Sequence, residues 1–67
     1  MMNIVLNGNK HTLDGEHNIQ GLLERHGYNG KLIAVAVNNE FLPKTDYSKR
    51  IIRDNDRIEI VAPMQGG

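Results

Sequence analysis

The alternation of apolar and polar residues divides the chain into short segments, each of which predicts one strand or one helix. The predicted strands are residues 3–7, 10–13, 32–37, 40–42 and 57–62. The run LIAVAV is almost continuously apolar and rich in β-branched residues, which predicts a strand inside a sheet. The three-residue strand is followed by Pro43, which has no backbone N–H and therefore indicates a sheet edge.

Asparagine, aspartate and glycine mark the turns between these segments. Asn7 and Gly8 form a strong hairpin signal, because both residues tolerate the positive φ that a two-residue turn requires. Further turns are predicted at residues 14–15, 38–39 and 54–56.

One segment has the period of a helix. Ile19, Leu22 and Leu23 fall at i, i+3 and i+4 and so share one helix face. Asn18 is placed to cap the first turn, and Gly27 to end the helix. A hairpin, one helix and further strands, in that order, predict an α+β fold of the β-grasp type, a mixed sheet of four to five strands packed on one helix.

The alternation along each strand sorts the apolar side chains onto two sheet faces. The face toward the helix takes Ile4, Leu6, Ile33, Val35, Val37, Ile58 and Ile60. The outer face then carries Val5, Ala34, Ala36 and Val61. Small apolar residues on an exposed face indicate a docking surface for a partner, although isolated apolar residues also occur on any protein surface.

Composition and charge exclude several classes of protein. The 67 residues contain no cysteine, so there is no disulfide framework and no thiol nucleophile. Eight basic and eight acidic residues give zero net charge, which argues against a nucleic-acid partner. No stretch approaches the ~20 apolar residues of a membrane span, and the first residues do not have the pattern of a signal peptide. We therefore expect a cytoplasmic protein that is monomeric on its own and has no membrane partner.

The polar clusters do not predict a catalytic or metal site. The three histidines, His11, His17 and His26, lack the spacing of metal ligands. Asp54 and Asp56 flank a turn residue without further oxygen ligands nearby. The basic residues at 49, 50, 53 and 57 lack the aromatic neighbours of a nucleic-acid site and favour a solvated face or docking to an acidic partner. The glycines match no phosphate-binding loop. Together with the histidine and aspartate patterns, this leads us to expect no bound cofactor or metal.

The two final residues are the strongest chemical signal. Glycine is about 7% of average sequence, so a chain ends in Gly-Gly by chance about once in two hundred cases. Gly66 and Gly67 have no side chains, which allows an extended tail to enter a narrow channel and present its carboxylate to a partner enzyme. Residues 63–67 can extend about 17 Å. We therefore divide the chain into a β-grasp domain, 1–62, and a flexible tail, 63–67; a frayed end or an expression remnant is the alternative.

Taken together, these features resemble the ThiS family of sulfur carrier proteins, ubiquitin-like β-grasp domains of thiamine thiazole biosynthesis. The similarity covers IVLNGN, the helix NIQGLLERHG, the block VAVNNEFLPKTDY, the segment RDNDRIEIV and the final QGG. Asn55 stands where many β-grasp carriers have glycine, and asparagine also tolerates positive φ. The tail PMQGG is similar to that of the MoaD-like carriers of molybdopterin synthesis as well.

The resemblance implies a carrier that is acted on by enzymes and is not one itself. A ThiF-like, E1-type adenylyltransferase would use ATP and Mg²⁺ to activate the Gly67 carboxylate as an acyl-adenylate. A persulfide supplied by a donor protein would convert it to a thiocarboxylate, and a ThiG-like thiazole synthase would receive the sulfur. On this similarity Gly67 is the modified residue, Gly66 permits close approach, and Met64 and Gln65 contact the mouth of the channel.

Two other classes of function use the same fold. A ubiquitin-like modifier would join the same carboxylate to lysines of other proteins, and covalent conjugates would reveal it. A non-covalent β-grasp interaction module would keep its function after removal of Gly66 and Gly67.

Overall fold

The computed structural model describes residues 1–28 and 32–62. The strands are β1 (Met2–Leu6), β2 (Asn9–Leu13), β3 (Ala34–Val37), β4 (Glu40–Leu42) and β5 (Arg57–Val61), the helix α1 is Ile19–Arg25, and a 3₁₀ turn spans Lys44–Asp46. The strands form one sheet in the order β2-β1-β5-β3-β4, in which β1 and β5 are parallel and the other pairs antiparallel. The prediction of a β-grasp fold with one helix on a mixed sheet is confirmed.

Asparagines in the left-handed backbone conformation form the two hairpin turns, as their sequence positions predict. Asn7 and Gly8 have φ of 49° and 83°, and Asn38 and Asn39 have φ of 54° and 70°. Positive φ at both central residues matches the right-handed twist of the flanking strands. Asn55 also adopts a positive φ, 71°, in the turn before β5.

Helix α1 is short, and both of its ends are capped. The Asn18 side chain accepts a hydrogen bond from the Gly21 N–H at 2.7 Å, as expected of an N-cap. A Cβ at position 21 would lie 3.2 Å from that oxygen, which accounts for a glycine inside the helix. At the other end Gly27 has φ of 81°, and the Tyr28 N–H bonds to the Leu23 carbonyl at 2.9 Å. The left-handed conformation of Gly27 ends the helix and allows backbone N–H groups to bond to carbonyls that have no partner within the last turn.

The helix and the inner sheet face meet in one apolar core. The buried apolar residues are Ile4, Leu6, Ile19, Leu22, Leu23, Val35, Val37, Tyr47, Ile52, Ile58 and Ile60. They include the predicted helix stripe and the inward strand residues except the half-buried Ile33, together with Ile52 from the segment between β4 and β5. Tyr47, which the periodicity does not single out, follows the 3₁₀ turn, and its carbonyl accepts a hydrogen bond from the Gln20 N–H at 3.0 Å.

Strand β3 begins two residues later than the apolar run suggests. The prediction of a strand from Leu32 was wrong, because Leu32 and Ile33 lie outside it and Leu32 is 79% exposed. The reason lies in the neighbouring strand. Residue Ala34 pairs with Val61, the last residue of β5, so β5 offers no further partner to the residues before Ala34.

Asp56 is a buried carboxylate that ties the turn before β5 to the rest of the domain. Its oxygens accept hydrogen bonds from the Asn38 amide at 3.0 Å and from the Arg53 N–H at 2.8 Å, and the Arg50 guanidinium lies 3.3 Å away. Burial disfavours the charged form of this carboxyl. The hydrogen bonds from Arg53 and Asn38, with the positive charge of Arg50, outweigh that effect and hold the pKa of Asp56 below its ordinary value.

We expect Asp56→Asn to remove a source of stability that depends on pH. Because the folded-state pKa is lowered, the contribution is complete above about pH 4 and is lost as the pH falls through the folded-state value. Urea denaturation should show a loss of about 1–3 kcal/mol at pH 7 and a smaller loss in acid. Exposed Asp14, changed to Asn, is the control; equal losses for Asp56→Asn at both pH values would contradict the assignment.

Candidate functional site

The candidate site is the end of β5 and the outer sheet face around it. Strand β5 lies between β1 and β3 and leads directly to the tail. The predicted site residues Met64, Gln65, Gly66 and Gly67 lie outside the described residues. The described part of the site therefore consists of the surface from which the tail leaves the domain.

Three of the four predicted docking residues lie side by side. Ala34 and Val61 are cross-strand partners, and Ala36 lies opposite Glu59 on β5. Val61 is 63% exposed. Shallow grooves of ≈ 290 Å³ and ≈ 320 Å³ meet at Ala34 and Val61. The first is lined by Asn7, Ala34, Val35, Ala36, Phe41, Glu59 and Val61, and the second by Leu32, Ile33, Ala34 and Val61. We call Leu32, Ala34, Ala36, Phe41 and Val61 the apolar outer face.

Val5, the fourth predicted docking residue, lies apart from the others. It is on the same face of the sheet, but its neighbours are Lys10 on β2 and Arg57 on β5. It lines a different groove, of ≈ 520 Å³, with polar residues that include Asn3, Thr12 and Asn55. The outer face is thus polar on its β1–β2 half and apolar on its β3–β4 half.

Sequence reasoning missed two large members of the apolar outer face. Phe41 is 71% exposed and lies opposite Ala36, and Leu32 is exposed just before β3. The position of Phe41 could have been derived, because a two-residue turn at 38–39 fixes the pairing of β3 with β4. Leu32 gave no such signal, since its exposure depends on where β5 stops.

The remaining polar candidates have local contacts within the domain. The His17 ring lies 2.7 Å from the Asp14 carbonyl oxygen, and the His11 and His26 rings meet edge to face with centroids 5.7 Å apart. Asp54 accepts a hydrogen bond from the Asn3 N–H at 2.7 Å. Among residues 1–28 and 32–62, no group of three or more acidic or histidine side chains is placed to hold a metal ion. No helix in the same ranges is long and apolar enough to span a membrane.

The fold and the surface around β5 define a small ubiquitin-like β-grasp domain with an apolar face beside the root of its tail. The sequence model of the ThiS family matches residues 4–67, and the chain belongs to that family. Membership confirms the resemblance seen in the sequence, and with it the expectation of a small carrier protein rather than an enzyme.

Relatives and solved structures agree with this assignment. The chain is 39% identical over 62 residues to the sulfur carrier protein ThiS of Thermus thermophilus, covering 92% of this chain and 95% of that one. The crystal structure of the thiamine biosynthesis protein ThiS from Geobacter metallireducens superimposes with a TM-score of 0.82 at 29% identity, over 98% of this chain and 100% of that one. The family is thus that of the sulfur carriers of thiamine biosynthesis.

One relative is much longer. A thiazole synthase of Paramagnetospirillum magneticum is 33% identical over 66 residues. These cover 98% of this chain, which spans only 20% of that protein's length.

Proposed function

We propose that the chain carries sulfur as a thiocarboxylate on Gly67 and delivers it for the formation of the thiazole of thiamine. The observation that carries this proposal is the match of the ThiS family to residues 4–67, which includes the terminal Gly-Gly. The β-grasp domain supports it by ending its central strand, β5, next to an exposed apolar surface.

The chemistry requires activation because a carboxylate resists attack by nucleophiles. In the proposed reaction the Gly67 carboxylate attacks the α-phosphorus of ATP on a ThiF-like adenylyltransferase, releases pyrophosphate and becomes an acyl-adenylate. The terminal sulfur of a donor's persulfide then displaces AMP, and a second thiol breaks the S–S bond. The products are a thiocarboxylate and a disulfide. ATP and Mg²⁺ belong to the partner enzyme in this scheme, and this chain supplies the carboxylate.

The apolar outer face serves as the docking surface in this proposal. A tail that enters a channel loses conformational freedom, and rigid contacts beside its root offset that loss. Ala34 and Ala36 keep the surface flat, while Phe41 and Val61 expose large side chains next to them. Glu59, opposite Ala36, is the charged residue that lines one of the two grooves of this surface, and the members of the surface itself are apolar. Apolar contact with the partner is therefore the main attraction we expect.

A ThiG-like thiazole synthase is the proposed sulfur acceptor. The support is the Paramagnetospirillum protein, which bears the name thiazole synthase and contains a region similar to 98% of this chain. A region similar to this chain within a protein of that name supports the proposal that carrier and synthase act together.

Intact mass spectrometry tests the proposed function directly. The purified chain is incubated with a ThiF-like enzyme, ATP, Mg²⁺ and a persulfide donor, and the expected product gains the mass difference between sulfur and oxygen. Omission of ATP is the control. An unchanged mass, or a chain linked to lysines of other proteins, would contradict the carrier function. Transfer to molybdopterin synthase instead of thiazole synthase would assign the chain to the MoaD-like pathway.

We expect a negative charge on the apolar outer face to weaken docking without unfolding the domain. Val61→Glu and Ala36→Glu each place a carboxylate in an apolar contact, and binding to the adenylyltransferase should weaken about tenfold or more. Calorimetric titration measures the affinity. Thr12→Glu adds the same charge to an exposed position on β2 and is the matched control. Unchanged affinity in both outer-face variants would move docking to the basic stretch Lys49 to Arg57.

A further inference from the structure

Strand β5 extends farther along the sheet than its neighbour β1. The parallel pairing of these strands matches Val5 with Arg57 and Leu6 with Ile58, and β1 ends at Leu6. The turn at Asn7 and Gly8 then carries the chain away toward β2. Within residues 1–28 and 32–62, the end of β5, including Ile60, therefore has no further strand residue beside it on the β1 side.

Asn7 replaces the missing strand residue with two hydrogen bonds. Its backbone N–H donates to the Ile58 carbonyl at 2.9 Å, and its side-chain Oδ1 accepts from the Ile60 N–H at 2.7 Å. Only the second bond depends on the side chain. Few residue types readily adopt the positive φ of Asn7, 49°. Glycine adopts it, but glycine has no side-chain acceptor for the Ile60 N–H.

The other hairpin uses the same arrangement at the opposite end of β5. Asn38 has φ of 54°, its N–H donates to the Arg57 carbonyl at 2.7 Å, and its Oδ1 accepts from the Arg57 N–H at 2.9 Å. Two left-handed asparagines thus hold β5, one where the strand begins and one near its end. We call Asn7 and Asn38 the asparagine clamp.

We propose that Asn7 is a positioning residue for the tail. It fixes Ile60, three residues before the tail begins at residue 63, while Ala34 pairs with Val61 from the other side. Asn7 also lines the groove of the apolar outer face. Asn7, the member of the asparagine clamp nearest the tail, therefore sets the direction in which the chain leaves the sheet relative to the docking surface. This inference rests on the proposed function.

The expected kinetic consequence is specific. A tail whose root is fixed loses less conformational freedom when a partner captures it, so release of Ile60 raises the KM of adenylation. Once the tail is bound, Gly67 occupies the same place in the partner, and kcat is unchanged.

Three variants distinguish the positioning role of Asn7 from a general loss of stability. Asn7→Gly keeps a residue that tolerates positive φ and removes only the acceptor. Asn7→Asp retains both the acceptor and the tolerance of left-handed backbone, and is the rescue variant. Asn38→Gly removes the acceptor at the far end of β5 and also the hydrogen bond that the Asn38 amide donates to Asp56, so it is the control for a general loss of stability.

Amide hydrogen exchange and adenylation kinetics are measured on the same samples. In Asn7→Gly, we expect exchange of the Ile60 amide and the KM of adenylation each to rise roughly two- to tenfold, the range of one ordinary hydrogen bond. Asn7→Asp should restore both, and Asn38→Gly should leave the KM unchanged.

Two results would overturn the inference: an Ile60 amide equally protected in Asn7→Gly and the wild type, or an equal rise in KM for Asn38→Gly. A wild-type chain that is not adenylated would overturn the proposed function and the tail-positioning role together. Exchange at Ile60 would still decide whether Asn7 holds the strand.

Discussion

Deletion of Gly67 is expected to abolish thiocarboxylate formation and to leave the folded domain unchanged. Removing one residue draws the carboxylate back by about 3.3–3.6 Å, and a misplacement of even about 1 Å can slow an enzymatic reaction a hundredfold. The core residues that the structure describes all precede the tail in the sequence, so we expect the free energy of unfolding not to change. Intact mass after incubation with the adenylyltransferase, ATP and a persulfide donor measures the product.

Two further tail variants make this expectation specific. One additional residue after Gly67 displaces the carboxylate in the other direction and should also abolish the reaction. Gly66→Val keeps the length of the tail but adds a side chain, which narrows the fit in a channel and restricts the backbone, so adenylation should slow sharply at an unchanged melting temperature. Retained thiocarboxylate formation after deletion or extension would exclude Gly67 as the carrier residue.

The sequence predicted the fold well because its turns and its helix carry independent local signals. The Asn7-Gly8 hairpin, the Asn18 cap and the Gly27 stop each follow from backbone conformations that few residues adopt. The two-residue turns then fix strand pairing. Because successive strand side chains point to opposite faces, the alternation along β1, β3 and β5 assigns nearly all of the inner face correctly.

The features that the sequence did not reveal depend on contacts between distant segments. Tyr47 is buried because the segment after β4 folds back against the helix, and no periodicity encodes that return. In the sequence, Asp56 is indistinguishable from an ordinary turn residue. It becomes a buried ionic contact only because Asn38 and Arg50 approach it in the fold. The role of Asn7 as an acceptor for Ile60 likewise requires the offset between β1 and β5.

The candidate site was only partly accessible to sequence reasoning. The tail residues could be proposed from their chemistry, and Ala34, Ala36 and Val61 from strand alternation. Val5 satisfied the same alternation, yet the strand order places it beside Lys10 and Arg57. Which residues share a face follows from the sequence, whereas which of them touch requires the order of the strands.

The helix stripe should account for much of the stability of the domain, and Leu22→Ala tests this. Leu22 and Leu23 are almost completely buried between the helix and the sheet. Truncation of such a leucine removes apolar contact and leaves a cavity, at a cost of about 2–5 kcal/mol. A domain of this size has only about 3–5 kcal/mol of stability, so the variant should be partly or largely unfolded at 25 °C.

Urea denaturation measures this effect, and Glu24→Ala provides the control on the same helix. Glu24 is exposed, and its replacement should change the free energy of unfolding by no more than about 0.5 kcal/mol. A contrast between Leu22→Ala and Glu24→Ala therefore reports burial rather than helix propensity, since both variants introduce alanine. Losses below about 1 kcal/mol for both Leu22→Ala and Leu23→Ala would contradict the packing of the helix on the sheet. If Leu22→Ala is largely unfolded, as we expect, it should also fail as a carrier although its tail is intact, because too few molecules are folded and display the docking surface.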